Sequence, residues 1–412
     1  MSEVPETHGK RLQWRMESLG HSIIESLVAR LSAPAAFKLG ETLGRLAYPF
    51  LKTRKQIILR NLRIAFAGEK NPRELEQLAR ATFRRSIGNL ISATRTARLT
   101  PQQLPEVVTI ENLHLLTNEI NRGRGVVIIL SHMGNWELLT RIVHFFPPGT
   151  KTGAFYRPLN NPYMNQQVLD RREADGTRMF SKRDNPLHVA RFLRQGGIVG
   201  ILADQRVGPQ GEIVEFFGRV TRASPLPRLL ARRSKSAMLA LPVATTSPGC
   251  WTATFVPVEE PHDTTHAMRA LETAMKRSPI DVFWLQDRWK VFVGRKRTIS
   301  HWLETATGRK PHRILLWLAA TRPQRPDDGW FHPDVTWDVL LDTGRTPPDW
   351  LPPHATIHQE PPLTNRSAVQ TVLSRIDLSQ ALPVDLILTH GPADRALAKA
   401  AERAAIRILS LP

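Results

Sequence analysis

Two stretches near the N-terminus place apolar residues at helical spacing. Residues 19–31 form the first stretch and residues 37–51 the second, which ends on a basic cluster of Lys52, Arg54 and Lys55. This spacing predicts two amphipathic helices. Their apolar faces can cover a protein core, lie on an anionic bilayer, or do both, and the sequence leaves these interpretations open. Neither stretch approaches the roughly 18 uninterrupted apolar residues of a spanning helix, and neither follows the pattern of a secretory signal.

Downstream of residue 107, short apolar runs alternate with segments of helical periodicity. Strands separated by helices predict an α/β fold, with a mostly parallel mixed sheet flanked by helices. In such sheets the ligand site lies beyond the carboxyl ends of the strands. The predicted strands are 126–130, 152–156, 198–203, 238–244 and 252–258, and the predicted helices are a segment from Leu138 to Val143, then 161–175, 189–194 and 226–234.

The last quarter of the chain has its own pattern of short strands and helices with proline-rich connections. Residues 309–412 hold 13 of the 32 prolines, and we predict a small α/β domain there. It faintly resembles one half of a heptosyltransferase-type glycosyltransferase, which would imply an accessory role, and a purely structural appendage is the alternative. The predicted domains are residues 1–60 with the amphipathic helices, residues 61–308 with the main sheet, and residues 309–412. The predicted strands of this last domain are 313–319, 337–341, 384–389 and 406–409, and its predicted helices are 367–378 and 395–405.

Positive charge is concentrated in the first three quarters of the chain. The 412 residues carry a formal charge of +20, and residues 1–308 hold 45 basic against 26 acidic residues. The partner of this region is therefore expected to be anionic, and nucleic acid, anionic lipid headgroups and acidic carrier proteins are the candidates. Nucleic acid is disfavoured because no reading helix, RNP-type aromatic motif or zinc module is present. Because Cys250 is the only cysteine, an internal disulfide and a site of several thiolates are excluded.

Polar side chains follow three of the predicted strands at the point where each strand ends. Residues 131–137 (Ser-His-Met-Gly-Asn-Trp-Glu) follow the first strand, Arg157 follows the second, and Asp204 and Gln205 follow the third. We expect these groups to converge because parallel strands present their carboxyl ends at one edge of the sheet. A hydrophobic core does not need such chemistry, and unpaired charges in it would be costly. The sequence therefore predicts a polar site at this edge.

His132 and Glu137 are the candidate acid–base pair of this site. Five steps along one helix would place them about 140° apart, so they meet only if His132 lies in a loop and Glu137 in the first helical turn. Glu137 would then accept the Nδ1 proton and leave Nε2 free as a base, as in a catalytic triad. The substrate would supply the nucleophilic hydroxyl. The alternative is a structural histidine at a helix start, with Glu137 stabilising the helix dipole.

The block Gly125–Glu137 resembles the signature of bacterial lipid A late acyltransferases, the lauroyl/myristoyl-transferase branch of the lysophospholipid acyltransferase superfamily. Further matching segments follow in order, and the resemblance covers about residues 17–293. Their order and spacing make the resemblance specific. These segments are Asn61-Leu62 with Phe66, Tyr156–Pro162, Gly196-Gly197, Asp204-Gln205, Phe216–Gly218, and Pro279 with Trp284–Lys290.

The resemblance implies a glycerolipid-acyltransferase-like fold and transfer of an acyl chain from a thioester to a hydroxyl of a lipid A precursor or a related glycolipid. Acyl carrier protein is the implied donor, with acyl-CoA as the alternative, and neither a cofactor nor a metal is expected. The implied location is the cytoplasmic face of the bacterial inner membrane, with peripheral or weak attachment to an anionic membrane surface.

The resemblance also assigns roles to residues, with His132 and Glu137 as the catalytic dyad. Arg157 is the candidate for stabilising the oxyanion or for binding an acceptor phosphate, because a guanidinium forks onto either group. An ion pair between Arg157 and Asp204 is the structural alternative. The remaining candidates for substrate binding or positioning are Asn135, Trp136, Asp204, Gln205, Arg288 and Lys290.

One segment departs from the family pattern. The family usually has His-Arg-Arg where this chain has Gln286, Asp287 and Arg288, so that a local positive charge is replaced by a negative one. The contacts with an acceptor headgroup are therefore expected to differ, whereas the dyad is intact. A second function stays open, namely a lipid-binding scaffold that keeps the fold and recruits glycolipid-modifying enzymes through its C-terminal domain.

Overall fold

The computed structural model describes residues 8–181, 184–208, 210–289, 310–318, 325, 335–363 and 365–411. Four α-helices precede the first strand in the described ranges, and helices and strands are interspersed from there on. The described α-helices are α1 (His8–Val28), α2 (Ala33–Ala47), α3 (Lys52–Ala65), α4 (Pro72–Thr96), α5 (Leu113–Asn121), α6 (Pro162–Glu173), α7 (Pro186–Arg194), α8 (Leu226–Ser234), α9 (Thr264–Arg277), α10 (Arg366–Leu378) and α11 (Arg395–Ala404).

The strands of the described ranges form four sheets, and most of the pairing is parallel. The prediction of a mixed α/β fold with N-terminal helices is confirmed. The strands are β1 (Val108–Glu111), β2 (Val126–Leu130), β3 (Thr152–Tyr156), β4 (Arg178–Ser181), β5 (Ile198–Leu202), β6 (Glu212–Phe216), β7 (Arg219–Ala223), β8 (Ala237–Ala240), β9 (Val243–Ser247), β10 (Cys250–Thr254), β11 (Val256–Pro257), β12 (His312–Trp317), β13 (Val335–Asp342), β14 (Thr356–Glu360), β15 (Leu386–His390) and β16 (Arg407–Leu411).

The chain divides into two compact units. The first unit contains the described residues of Met1–Ala47, Ala81–Gln205 and Ser224–Phe283. The second contains the described residues of Tyr48–Arg80, Arg206–Ala223 and Trp284–Pro412. The C-terminal sheet therefore belongs to the same unit as α3 and the β6–β7 hairpin. The three domains expected from the sequence remain a prediction.

In the first unit, a six-stranded sheet has the order β11-β8-β2-β5-β3-β4. Its centre is β2, whose five residues are all buried, because parallel neighbours β5 and β8 flank it and both of its faces are covered. Leu130 pairs with Leu202 at the carboxyl end of these strands. The residues that follow β2 and β5 are therefore delivered to the same edge of the sheet.

Three predicted elements of the first unit are wrong. The predicted strand 252–258 is divided between β10 and β11, which belong to different sheets. The segment around Leu138–Val143 forms two short 3₁₀ helices, Trp136–Thr140 and Ile142–Phe145. Arg141 between them is buried, and its guanidinium donates to the carbonyl oxygens of Thr96 (2.8 Å) and Leu99 (2.6 Å), which anchors this segment to the end of α4. The predicted strand 238–244 is divided between β8 and β9, because Pro242 cannot donate a ladder hydrogen bond.

Helix α1 turns its apolar residues outward. Along one stripe its side chains are between 53% and 67% exposed, whereas Ser18 and Glu25 are buried. Val28 near the end of the same helix is buried, so α1 contacts the core through that residue while the stripe stays exposed. The helices within the described ranges do not combine the length and apolar character that crossing a bilayer requires. The stripe consists of Leu12, Met16, Leu19, Ile23 and Leu27.

Helix α2 packs through its small residues. A Cβ atom on Gly40 would lie 2.7 Å from the Cα atom of Gly88 on α4, so only glycine permits this approach. Phe37 of the same helix is buried in the core, whereas three leucines of α2 are left on the surface. They are Leu39, Leu43 and Leu46.

In the second unit, a five-stranded parallel sheet has the order β14-β13-β12-β15-β16. Counted along the chain, this is the order 3-2-1-4-5 of a doubly wound sheet. Helices α10 and α11 cover one face through residues such as Val372 and Leu397. Ion pairs join this region to elements nearer the N-terminus. Arg63 of α3 binds Asp377 at 2.5 Å in a partly buried pair, and Arg219 of β7 binds Asp385 at 2.8 Å in a fully buried one.

Candidate active site

His132 and Asp204 meet at the carboxyl ends of β2 and β5. The backbone N–H of Ala203 donates to the carbonyl oxygen of Leu130 at 2.9 Å, which extends the pairing of the two strands beyond their ends. The Asp204 carboxylate accepts the backbone N–H of His132 at 2.9 Å, and its other oxygen lies 2.7 Å from His132 Nδ1. Because the Asp204 side chain is fully buried, it fixes both the main chain and the ring of His132.

This hydrogen-bond network assigns the tautomer of His132. The Asp204 carboxylate can only accept, so Nδ1 carries the proton and Nε2 keeps a lone pair. The side-chain amide nitrogen of Gln205 lies 2.9 Å from Nε2 and donates to it. Gln205 is exposed and therefore displaceable. A donor on a bound molecule can take its place at Nε2.

The loop that carries His132 is held by a second segment of the same unit. Phe283 donates its backbone N–H to the carbonyl oxygen of His132 at 2.8 Å, and Gly134 donates to that of Asp281 at 2.9 Å. Gly134 has φ of +55°, and a Cβ atom there would lie 2.5 Å from the carbonyl oxygen of Val243. Only glycine fits this turn, so the position of His132 depends on it.

Two further candidates, Trp136 and Asn135, lie beside His132. The ring of Trp136 makes an edge contact with the His132 ring at a centroid distance of 5.2 Å, and with Phe283 at 5.4 Å. Asn135 is buried and donates to Thr96 Oγ1 at 3.0 Å. The aromatic contact restricts the imidazole ring, and Asn135 anchors the loop to α4.

Glu137 does not make the contact that its spacing from His132 suggests. Arg172 on α6 donates to both oxygens of the Glu137 carboxylate, with Nη2 at 2.7 and 2.9 Å and Nε at 3.0 Å. His132 Nδ1 is instead bound to Asp204. The reason is that β5 lies directly beside β2, so Asp204 reaches Nδ1 from the neighbouring strand. Sequence reasoning missed Arg172, since it lies 35 residues from Glu137 without any local pattern that pairs them.

The other candidates are distributed over both units. Arg157 is exposed and follows β3, the strand next to β5, so it lies at the same edge of the sheet as Asp204. Arg288 belongs to the second unit, where it is buried with its guanidinium 5.5 Å from the centre of the Trp284 ring. Lys290 lies outside the described residues.

Comparison with known proteins identifies related sequences. The family model described as "Bacterial lipid A biosynthesis acyltransferase" matches residues 10–291. A lipid A biosynthesis palmitoleoyltransferase of Escherichia coli (strain K12) is 26% identical over 274 residues, which cover 64% of this chain and 88% of that protein. A lipid A biosynthesis lauroyltransferase of the same organism is 26% identical over 230 residues, covering 52% of this chain and 69% of that protein. Residues after 291 lie outside the family match.

Proposed function

Since the chain belongs to the bacterial lipid A biosynthesis acyltransferase family, we propose that it moves a fatty acyl chain from an acyl thioester to a hydroxyl of a lipid A precursor or a related phosphorylated glycolipid. Acyl carrier protein is the proposed donor. The two Escherichia coli relatives bear the names of a palmitoleoyl- and a lauroyltransferase. We propose that the transferred group is a fatty acyl chain of the kind that these names indicate.

The observation that carries the proposal is the hydrogen-bonded pair of Asp204 and His132, with Nε2 facing a displaceable group. An acceptor hydroxyl that replaces the Gln205 amide would donate its hydrogen bond to Nε2. His132 then takes the proton while the hydroxyl oxygen attacks the thioester carbonyl carbon. The tetrahedral intermediate collapses by breaking the carbon–sulfur bond, and the imidazolium returns the proton to the leaving thiolate. Asp204 stabilises the imidazolium between these two steps.

Charge stabilisation is assigned to three further side chains. Arg157 at the sheet edge is proposed to bind the oxyanion or an acceptor phosphate, and the Gln205 amide donates to a substrate oxygen once it leaves Nε2. Glu137, the carboxylate of the family motif, is proposed to favour the imidazolium form of His132 through its charge. Substrate contacts of Arg288 and Lys290 are proposed from the resemblance alone.

A labelling experiment tests the proposal. The purified protein is incubated with labelled acyl carrier protein of several acyl lengths, or with labelled acyl-CoA, and a lipid extract from a Gram-negative host. The lipids are then separated. We expect label in a phosphorylated glycolipid with the unaltered protein and none with His132→Ala. If neither donor transfers label, the proposed acyltransferase activity is wrong. If His132→Ala labels the lipid as well as the unaltered protein does, the assignment of His132 as general base is wrong.

The N-terminal helices support attachment to the surface of a membrane. Helix α1 exposes the stripe that runs from Leu12 to Leu27, and α2 exposes Leu39, Leu43 and Leu46. Helices that present an apolar face and basic flanks lie in the plane of an anionic interface. We therefore propose that the protein attaches peripherally to the cytoplasmic face of the inner membrane, with α1 in the interface.

Replacing Leu19 and Ile23 together by Asp should lower binding to anionic phosphatidylglycerol vesicles by at least about tenfold. Burial of each aliphatic side chain contributes roughly 1.5–3 kcal/mol, and a charge cannot replace it. Co-sedimentation measures the bound fraction. Leu187→Asp on α7 is the control, because Leu187 is also more than half exposed and is expected to leave binding unchanged. Equal binding by the double variant would exclude α1 as the contact.

A further inference from the structure

Helix α6 is supported by helix α1 rather than by a hydrophobic core. The described residues of α6 include none that is buried. Its N-cap, Asn161, donates to the carbonyl oxygen of Trp14 and to Glu17 on α1, each at 3.0 Å. One turn and a half further on, Gln167 donates to Ser22 Oγ at 3.2 Å. Polar contacts with α1 therefore run along α6 from its first turn.

The last turn of α6 carries two adjacent arginines that bind different partners. Arg171 forms a bidentate ion pair with Glu25 of α1, in which Nη2 lies 2.8 Å from Oε2. Arg172 forms the bidentate ion pair with Glu137. Successive residues of a helix point about 100° apart, so the two guanidinium groups diverge. A single turn of helix thus joins α1 to the carboxylate of the candidate site.

The end of this connection on α1 is buried, and both of its ion pairs are bidentate. Only 3% of Glu25 is exposed, so its charge depends on Arg171 for compensation, with His21 Nδ1 a more distant 3.4 Å away. Two-pronged guanidinium–carboxylate pairs fix orientation as well as distance. A displacement of α1 must therefore change the position of α6 and, through Arg172, that of Glu137.

We infer that α6 is the positioning element of Glu137, with Arg172 holding the carboxylate and with Arg171 and Glu25 acting on it through the helix. This inference rests on the proposed acyl transfer and extends it, because it makes three residues outside the family motif determinants of turnover. It also means that the helix proposed to dock on the bilayer supports the second carboxylate of the site. Arg172, Arg171 and Glu25 are positioning residues, and none of them is required to touch the reacting atoms.

A double-mutant cycle tests the connection. With acceptor dispersed in detergent, so that vesicle binding plays no part, Arg172→Gln should lower kcat about tenfold and Glu25→Gln about fivefold, with KM for the donor unchanged. In the Arg172→Gln background, Glu25→Gln should lower kcat less than twofold, because the connection between α1 and Glu137 is already broken. Arg171→Lys keeps the positive charge but loses the bidentate geometry of the guanidinium. Its kcat should therefore lie between that of the unaltered protein and that of Arg171→Gln. Lys276→Gln, which removes an ion pair with Glu272 on α9, is the matched control and should leave kcat unchanged.

Hydrogen exchange separates this inference from the proposed function. Glu25→Gln should raise amide exchange in α6 and in the 3₁₀ helix Trp136–Thr140, at an unchanged melting temperature, whether or not transfer is observed. Unchanged exchange in Trp136–Thr140 overturns the inference, as does a fivefold loss that is the same in both backgrounds. Absence of transfer from the unaltered protein, together with the expected exchange, would overturn the proposed function and leave the mechanical connection in place.

Discussion

Asp204→Asn is expected to lower kcat for acyl transfer by about 10³–10⁴ while the fold stays intact. The asparagine oxygen can still accept the backbone N–H of His132, which the carboxylate binds at 2.9 Å. Its NH₂ group would then face Nδ1 and donate to it, so that the ring proton moves to Nε2. A ring protonated at Nε2 cannot accept a proton from the acceptor hydroxyl. Initial rates at saturating donor, with circular dichroism to verify folding, measure the loss.

Glu137→Gln provides the comparison that identifies the carboxylate bound to His132 during turnover. Glutamine can keep one acceptor for Arg172, whose fork now spans both oxygens of Glu137, and it does not touch Nδ1. We expect a smaller loss, of about 10- to 100-fold, in line with a charge that acts at a distance. The reverse ranking, with Glu137→Gln inactive and Asp204→Asn active, would show that Glu137 replaces Asp204 at Nδ1 in the substrate complex.

The central strands β2, β3 and β5 of the six-stranded sheet were predictable because their apolar runs are short and sharply bounded, whereas its edge strand β4 was missed. Val126–Leu130 is buried at every position, and a strand between two parallel neighbours has to be apolar throughout. Weaker patterns were missed. The hairpin β6–β7 and the edge strand β14, with exposed Thr356 and Ile357, have too little apolar periodicity to predict a strand. They form strands because a neighbouring strand supplies their hydrogen-bond partners, and their own residues do not show a strand pattern.

The candidate site was predictable as a location but not as a set of pairs. Strand ends indicated that His132, Asp204 and Gln205 lie at one edge of the sheet, and the structure brings these three together. Which carboxylate faces Nδ1 depends on the lateral order of β2 and β5, which one sequence does not contain. The pairing of Glu137 with Arg172 depends in the same way on the packing of α6. Spacing along the chain therefore identified the residue types of the site. The order of the strands and the packing of α6 determine which carboxylate contacts His132 and which contacts Arg172.

Charged side chains of the C-terminal sheet pair with charged side chains of elements that precede it in the second unit. Burial alone would raise the pKa of Asp385, but Arg219, with His312 and Arg60, holds that pKa well below its usual range. The folded-state pKa is thus lower than the unfolded value of about 3.9. This contribution to stability is complete above about pH 4 and is lost as the pH falls further. Since Arg219 lies within the family-matched residues 10–291 and Asp385 beyond them, a chain ending at residue 308 would leave Arg219 buried without this carboxylate.

Asp385→Ala should therefore lower the free energy of unfolding of the second unit by about 3–5 kcal/mol, because it leaves the charge of Arg219 buried without its partner. The Arg219 side chain is fully buried and lies 2.8 Å from Asp385. Replacing both residues, as Arg219→Met with Asp385→Ala, should recover most of the loss, since no uncompensated charge remains. Arg122, whose side chain is 64% exposed in its ion pair with Glu119, supplies the control, and Arg122→Ala is expected to change stability by less than about 1 kcal/mol. Urea unfolding at pH 7 measures all three variants. Equal losses for the single and the double variant would mean that packing at this position, rather than charge compensation, joins the C-terminal sheet to β7.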